Sequence, residues 1–194
     1  SPSRLETLLV SPLAWLLDEI GAGDLSWSAE ELDVMAKGNI AHDVFEHVFL
    51  KDQPIPDPAA LAAAVADAYD DALTRHAGFL RSPSWEMERI GLGREILQAA
   101  LRWREHLLAL GVRLIGNELW LAGEAHGIRL RGKADAILEL PDGGLLVVDH
   151  KKSGTSGRRK RMEAGWDLQA GLYRDMLARP IRREGDGMDP LIGR

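Results

Sequence analysis

Apolar side chains recur at helical spacing through the first half of the chain. After a capping-box pattern at Ser3–Glu6, leucines repeat every three or four residues up to Ile20, which predicts an amphipathic helix. Pro12, preceded by Ser11, is expected to restart or kink this helix, because proline is tolerated in a first turn but not inside a helix. Three more helices are predicted: one opened by a second capping box at 28–31 and running to about 50, an alanine-rich one to about 77, and one from 82–84 to about 111.

The hydrophobic period then changes from helical to alternating. Strands are predicted at 112–122, 127–140 and 144–151. In the second, apolar and charged residues alternate, which indicates one buried face and one functional face. The Asp142-Gly143 turn between the last two strands predicts a β-hairpin. A helix is expected over 162–178, followed by a polar tail from Pro180.

This order of helices, strands and a final helix predicts an α+β protein. A length of 194 residues suits a single domain with a substantial core. We divide that domain into a helical part (1–111), an αβ core (112–178) and a tail (179–194).

Composition excludes several kinds of chemistry. The chain has no cysteine, so disulfides, thiolate metal sites and cysteine-ligated iron–sulfur clusters are excluded. There is no signal-peptide pattern and no apolar run long enough to span a membrane, which fits a cytoplasmic protein. The net charge of −6 argues against a protein that coats nucleic acid by charge alone, but not against a nuclease. The basic cluster at 157–161 is either a solvated loop or a phosphate-contacting one.

Two aspartates and a lysine on the predicted hairpin carry the strongest chemical signal. With a three-residue loop, Asp135 lies directly opposite Asp149, and Lys151 shares the face of Asp149 because side chains alternate along a strand. Two adjacent carboxylates repel each other unless a cation lies between them. With a nearby ammonium they form the outline of a metal-dependent phosphodiesterase site. The alternative is a surface hairpin with a salt bridge.

Three other sets of residues are weaker candidates. His42 lies one helical turn from Glu46, although such a histidine is more often a cap or a surface residue. Glu118 is a strand carboxylate. Gln169 and Tyr173 have helical i, i+4 spacing, and the simpler reading is a core tyrosine with a polar neighbour.

Taken together, these residues resemble a known family. Gly38-x-x-x-His42-x-x-x-Glu46, Glu118, Gly132-x-x-Asp135, Asp149-His150-Lys151 and Gln169-x-x-x-Tyr173 look like the PD-(D/E)XK nuclease superfamily, and within it the RecB-like and AddB-like nuclease domains. The resemblance covers residues 1 to about 178. It implies a restriction-endonuclease-like core, with a central mixed sheet that opens with a β-hairpin, flanking helices and a large N-terminal helical elaboration.

The resemblance also implies roles for individual residues. Asp135 and Asp149 would bind Mg²⁺ or Mn²⁺, with His42 and the backbone carbonyl of His150 as further ligands. Glu118 would hold water at the metal or support the site. Lys151 would orient water or stabilise developing charge, and Gln169 and Tyr173 would position the scissile strand. The residues expected to contact substrate phosphates are Lys152, Arg158, Arg159, Lys160 and Arg161.

The implied function is metal-dependent DNA hydrolysis. By resemblance the chain is an exonuclease acting on single- or double-stranded DNA ends, with a helicase subunit or domain as partner in DNA repair and recombination. Related nucleases carry cluster-binding cysteines, so this chain resembles a cluster-free variant. The resemblance makes 112–178 the catalytic αβ core. The family core usually has a further strand after the last helix, which the sequence does not predict here, so the tail at 179–194 suggests a truncated domain or a piece of a longer protein. The alternatives are an inactive DNA-binding or scaffolding module of a helicase complex and a structural domain whose motifs agree by chance.

Overall fold

The structure is a computed structural model that describes residues 2–21, 31–150, 160, 163 and 169–181. Three strands, β1 (Arg113–Ala125), β2 (Ile128–Glu139) and β3 (Leu145–Val148), form one antiparallel sheet in the order β1-β2-β3. The predicted α+β class is confirmed. The described helices are α1 (Pro2–Val10), α2 (Pro12–Glu19), α3 (Val34–Val48), α4 (Pro58–His76), α5 (Glu86–Leu110) and α6 (Gln169–Ala178), with 3-10 turns at Gly78–Arg81 and Pro83–Trp85.

Capping side chains set the starts of the first helices. The Ser11 hydroxyl accepts a hydrogen bond from the Ala14 N–H, so Pro12 restarts a helix rather than kinking one. The predicted start of α3 at 28–31 is wrong: residues 31–33 are not helical, and α3 begins at Val34. The reason is Asp33, which is the N-cap: its carboxylate accepts the Ala36 N–H, so the helix begins directly after it.

The two long helices have clear end signals. Asp57 caps α4 by accepting the N–H groups of Ala59 and Ala60, and Pro58 occupies the first turn. Helix α5 ends at Gly111, whose φ of 60° lies in the left-handed region. Its N–H donates to Leu108, and the N–H of Val112 donates to Leu107, which is a Schellman motif. The chain passes directly from this motif into β1.

The chain forms two compact units. One contains Ser28–Asn117 and Ala136–His150, and the other contains Ser1–Trp27, Glu118–Asp135 and Lys151–Arg194. The boundaries therefore fall inside β1 and β2. In the first of these units α3 and α5 pack against α4, around a core that includes Ile40, Val44, Leu61, Leu73, Leu80, Leu107, Ala136 and Leu138.

In the other unit, α1 packs on α2 and α6. A Cβ at Gly123 of β1 would lie 2.4 Å from the Cα of Met176, so α6 crosses the strand backbone where only glycine fits. After α6 the chain returns to β1, with Pro180 bridged to Gly123 and the Ile181 N–H donating to the Ala122 carbonyl. The predicted helix over 162–178 is confirmed for 169–178.

Two different turns connect the strands. His126 and Gly127, with φ of 51° and 78°, join β1 to β2, and two positive φ values are the signature of a type I′ hairpin turn. β1 therefore extends three residues beyond its predicted end at 122. The β2–β3 hairpin pairs Ala136 with Val148, and the Leu140 N–H donates to the Gly144 carbonyl at 2.8 Å. This confirms the predicted three-residue loop at 141–143. None of the helices in the described ranges combines the length and apolarity that a membrane span requires.

Candidate metal centre

Glu118 has an unusual backbone conformation for a strand residue. Its φ is 50°, in the left-handed region that residues other than glycine rarely adopt. Such a conformation costs on the order of 1–2 kcal/mol, and it persists only where surrounding contacts impose it. One such contact is an ion pair: the Glu118 carboxylate lies 2.8 Å from Lys133 Nζ, and the Glu118 side chain is only 16% exposed. Strain at a half-buried carboxylate is an observation that points to a functional site.

Glu118 belongs to a group of three potential metal ligands. One ligand atom each from His42, Glu118 and Asp135 lies within 4.8 Å of the other two, and all three residues are half-buried. His42 is on α3, Glu118 on β1 and Asp135 on β2. All three were predicted as site residues from the sequence, and the structure brings them together.

The donor set fits a small divalent cation. Carboxylate oxygens are the ligands that Mg²⁺ prefers, and a single imidazole moves the preference somewhat toward Mn²⁺. Three ligand atoms within 4.8 Å of one another can contact one ion without a change of fold. The Lys133 ammonium balances the charge of Glu118. A bound cation could therefore take over from Lys133 in compensating the negative charge of Glu118.

Asn117 fixes the strand immediately before Glu118. Its side-chain amide donates to the backbone carbonyls of Phe45 and Phe49, at the end of α3. The Phe45 carbonyl also accepts the Phe49 N–H, which closes the last turn of the helix, whereas the Phe49 carbonyl lies just beyond the helix end. The Asn117 amide therefore ties β1 to the end of α3. Asn117 was not among the predicted site residues. The available signal was an asparagine inside a predicted strand, where that residue is uncommon.

Asp149 and His150 follow β3 directly and are half-buried. The last pair of the ladder is Ala136 with Val148, and the same register continued by one residue would set position 149 opposite position 135. The His150 ring packs edge-on against Trp103 and Phe45, with ring centroids 4.8 and 5.2 Å apart. These aromatic contacts orient the chain at the end of β3, where the sequence predicts metal ligands.

Tyr173 holds α6 against β2. The ring is buried, and the hydroxyl donates to the Lys133 backbone carbonyl at 2.6 Å. This contact is two residues from Asp135, so Tyr173 supports the strand that carries a candidate ligand. The predicted role of Tyr173 in contacting the substrate phosphate stays a prediction.

Asp43, next to His42 on α3, belongs to an ion-pair network. Its carboxylate lies 2.8 Å from both Arg75 Nε and His76 Nε2, and 3.0 Å from His47 Nδ1. These contacts link α3 to the end of α4. The network accounts for the Asp43–His47 pair as a structural feature, whereas His42 is the histidine of the metal-ligand group.

The remaining predicted residues lie partly outside the described part of the chain. Lys160 is helical and exposed, and Gln169 is the first residue of α6. The side chain of Gln169 is outside the description, so its role stays a prediction. The other predicted residues outside it are Lys151, Lys152, Arg158, Arg159 and Arg161.

Comparison with known proteins gives one family. The family model described as the PD-(D/E)XK nuclease superfamily matches residues 1–190, nearly the whole chain. Searches of curated proteins and of solved structures gave no significant match.

Proposed function

The chain belongs to the PD-(D/E)XK nuclease superfamily, and we propose that it is a Mg²⁺- or Mn²⁺-dependent deoxyribonuclease. The observation that carries this proposal is the His42–Glu118–Asp135 group. Two half-buried carboxylates and an imidazole are costly to gather unless a cation or proton compensates the charge. A divalent cation held there would offset the negative charge that grows on the phosphate during hydrolysis.

A divalent cation in this group would polarise the phosphate and lower the pKa of water. Glu118 and Asp135 would hold the cation through their oxygens, and His42 through a ring nitrogen. Asp149 is proposed as a further ligand, because the hairpin register, continued by one residue beyond Ala136 and Val148, would set position 149 opposite position 135. Lys151 is proposed to stabilise charge on the phosphate as a point cation.

Lys133 has a proposed role that the sequence analysis did not assign. Its ammonium is 2.8 Å from Glu118 and its side chain is 41% exposed, so it can move between the carboxylate and an incoming phosphate. In the free protein it would limit repulsion within the acidic group. With substrate present it would contribute positive charge next to the phosphate.

We further propose the narrower reading of the activity, an exonuclease of the RecB-like or AddB-like kind that acts with a helicase subunit or domain. Its support is the order and spacing of the sequence motifs from Gly38 to Tyr173. A closed circular strand separates the two modes of cleavage, because an exonuclease requires an end. Co-purification of the chain with a helicase-like protein would test the partnership.

The enzyme proposal is tested by incubating the purified chain with linear single- and double-stranded DNA in Mg²⁺, Mn²⁺ or EDTA. We expect shortening of the DNA that requires the metal and that disappears in Asp135→Asn, Asp149→Ala and Lys151→Ala. Asp67→Asn, an exposed aspartate of α4, is the matched control and should cleave normally. Binding without cleavage by the wild-type chain would instead support the inactive DNA-binding module. Full activity in Asp135→Asn would remove the site assignment.

A further inference from the structure

The β1–β2 hairpin exposes an aromatic side chain among basic ones. Trp120 on β1 is 45% exposed, which is unusual for so large an apolar group. On β2, Arg129, Arg131 and Lys133 are all exposed, and the residues between them are half-buried or buried. Because side chains alternate along a strand, these three cations share one face.

Two contacts place Trp120 and Glu118 on that same face. The Arg131 guanidinium lies over the Trp120 ring, 4.3 Å from the ring centroid. The next cation along the strand, Lys133, contacts Glu118. A continuous strip of side chains therefore runs from Arg129 to Glu118. We call Trp120, Arg129, Arg131 and Lys133 the hairpin strip.

The chemistry of the hairpin strip selects a ligand class. Guanidinium and ammonium groups bind phosphates, and an exposed indole stacks on the flat face of a base. In a duplex those base faces are covered by neighbouring base pairs, whereas in a single strand they are accessible. Three cations within five residues also stand out in a chain whose net charge is −6. The hairpin strip therefore combines the two features that bind a single strand, an aromatic ring for base stacking and a row of basic side chains for the phosphates.

We propose that the hairpin strip binds single-stranded nucleic acid, stacking a base on Trp120 and holding phosphates with Arg129 and Arg131. Lys133 marks the end of the strip that meets the metal-ligand group. This inference rests on the proposed nuclease function. It identifies the substrate of that nuclease as a single strand, which the hairpin strip would bind next to Glu118. The Arg131 guanidinium covers one face of the indole, so a base would stack on the opposite face or take the place of the guanidinium.

Fluorescence anisotropy in EDTA tests this binding without cleavage. The probes are a fluorescein-labelled DNA strand of about 20 nucleotides, longer than a site of about 4–16 nucleotides, its duplex, and an abasic strand of equal length. We expect the wild-type chain to bind the base-containing strand more tightly than the other two probes. In Trp120→Ala, affinity for the base-containing strand should fall by about tenfold, and affinity for the abasic strand should not change. Trp120→Phe should recover part of the loss, since it restores an aromatic face.

The basic residues have a separate signature. Arg129→Ala should weaken binding of the base-containing and abasic strands alike and reduce the slope of log affinity against log salt by about 0.7, as expected for one lost phosphate contact. Two controls are matched to these variants: Ile128→Ala, an exposed apolar residue of the same hairpin, and Arg94→Ala, an exposed arginine of α5. Both should bind like the wild-type chain.

The outcomes separate this inference from the nuclease proposal. The hairpin strip is ruled out if the wild-type chain prefers the duplex, if Trp120→Ala binds the single strand normally, or if that variant loses the abasic strand equally. Trp120-dependent binding by a chain that never cleaves would support the strip and contradict the nuclease. Metal-dependent cleavage with an unchanged KM for single strands in Trp120→Ala would support the nuclease and contradict the strip.

Discussion

Replacing Glu118 by glycine and by alanine separates the strain of its backbone from the chemistry of its carboxylate. Both variants lose the carboxylate and its contact with Lys133. They differ in the cost of a φ of 50°, which is on the order of 1–2 kcal/mol for a residue with a Cβ and close to zero for glycine. Glycine in a strand loses about 0.5–1 kcal/mol relative to alanine through chain entropy. The free energy of unfolding of Glu118→Gly should therefore exceed that of Glu118→Ala by about 0.5–1 kcal/mol.

Urea unfolding in EDTA measures that balance. With a slope of about 2 kcal/mol per molar urea, Glu118→Gly should unfold at a midpoint about 0.25–0.5 M higher than Glu118→Ala. The matched pair is Arg129→Gly and Arg129→Ala on β2, where the backbone is ordinary strand and alanine should be the more stable residue. A reversed sign at position 118 relative to position 129 is thus the expected result. The same sign at both positions would refute the strained conformation.

Calorimetric titration with Mn²⁺ then examines the carboxylate. Neither Glu118→Gly nor Glu118→Ala can coordinate through position 118, so both should lose Mn²⁺ affinity by about tenfold or more. The losses should be equal although the stabilities differ. Unchanged affinity in both variants would show that Glu118 is strained for a reason other than metal binding.

Three further predictions concern charge, packing and pH. Lys133→Met should bind Mn²⁺ more tightly, by a few-fold in calorimetry, because it removes a positive charge next to Glu118; weaker binding would contradict the proposed role of the lysine. Gly123→Ala should lower the free energy of unfolding, measured in urea, by at least about 2 kcal/mol, because the new Cβ meets the backbone of α6. Gly91→Ala, where α5 has open space, should raise the free energy of unfolding by about 0.5–1 kcal/mol. Two backbone N–H groups at the start of α4 lower the pKa of Asp57, so the stability it contributes is present above its unfolded pKa of about 3.9 and is lost as the pH falls through the lower folded value. The stability difference between the wild-type chain and Asp57→Ala should accordingly shrink from pH 5 to pH 2.5, and a constant difference would contradict the cap.

Local chemistry made several elements predictable. The 141–143 loop, the restart of the helix at Pro12 and the end of α5 at Gly111 each depend on residues adjacent in sequence. The predicted start of α3 is wrong because the sequence offers two capping signals close together, and Asp33 rather than the 28–31 box caps the helix. The β1–β2 turn was missed because His126 is a less common residue at positive φ than asparagine or glycine.

The residues of the candidate metal centre could be predicted from the sequence, but the contacts between them could not. Motif spacing selected His42, Glu118 and Asp135. It gave no sign that Glu118 has a left-handed backbone, since a hydrophobic pattern reports which residues are buried and not the sign of φ. The pairing of Lys133 with Glu118 joins residues on two strands, and its geometry follows from the fold rather than from either local sequence.

Anomalous diffraction from crystals of the chain soaked in Mn²⁺ tests the central claim most directly. We predict a manganese peak within about 2.5 Å of a ring nitrogen of His42 and of carboxylate oxygens of Glu118 and Asp135. Its loss in Asp135→Asn crystals would complete the assignment. A manganese peak bound by other residues, with these three side chains out of coordination distance, would contradict the metal centre proposed for this nuclease.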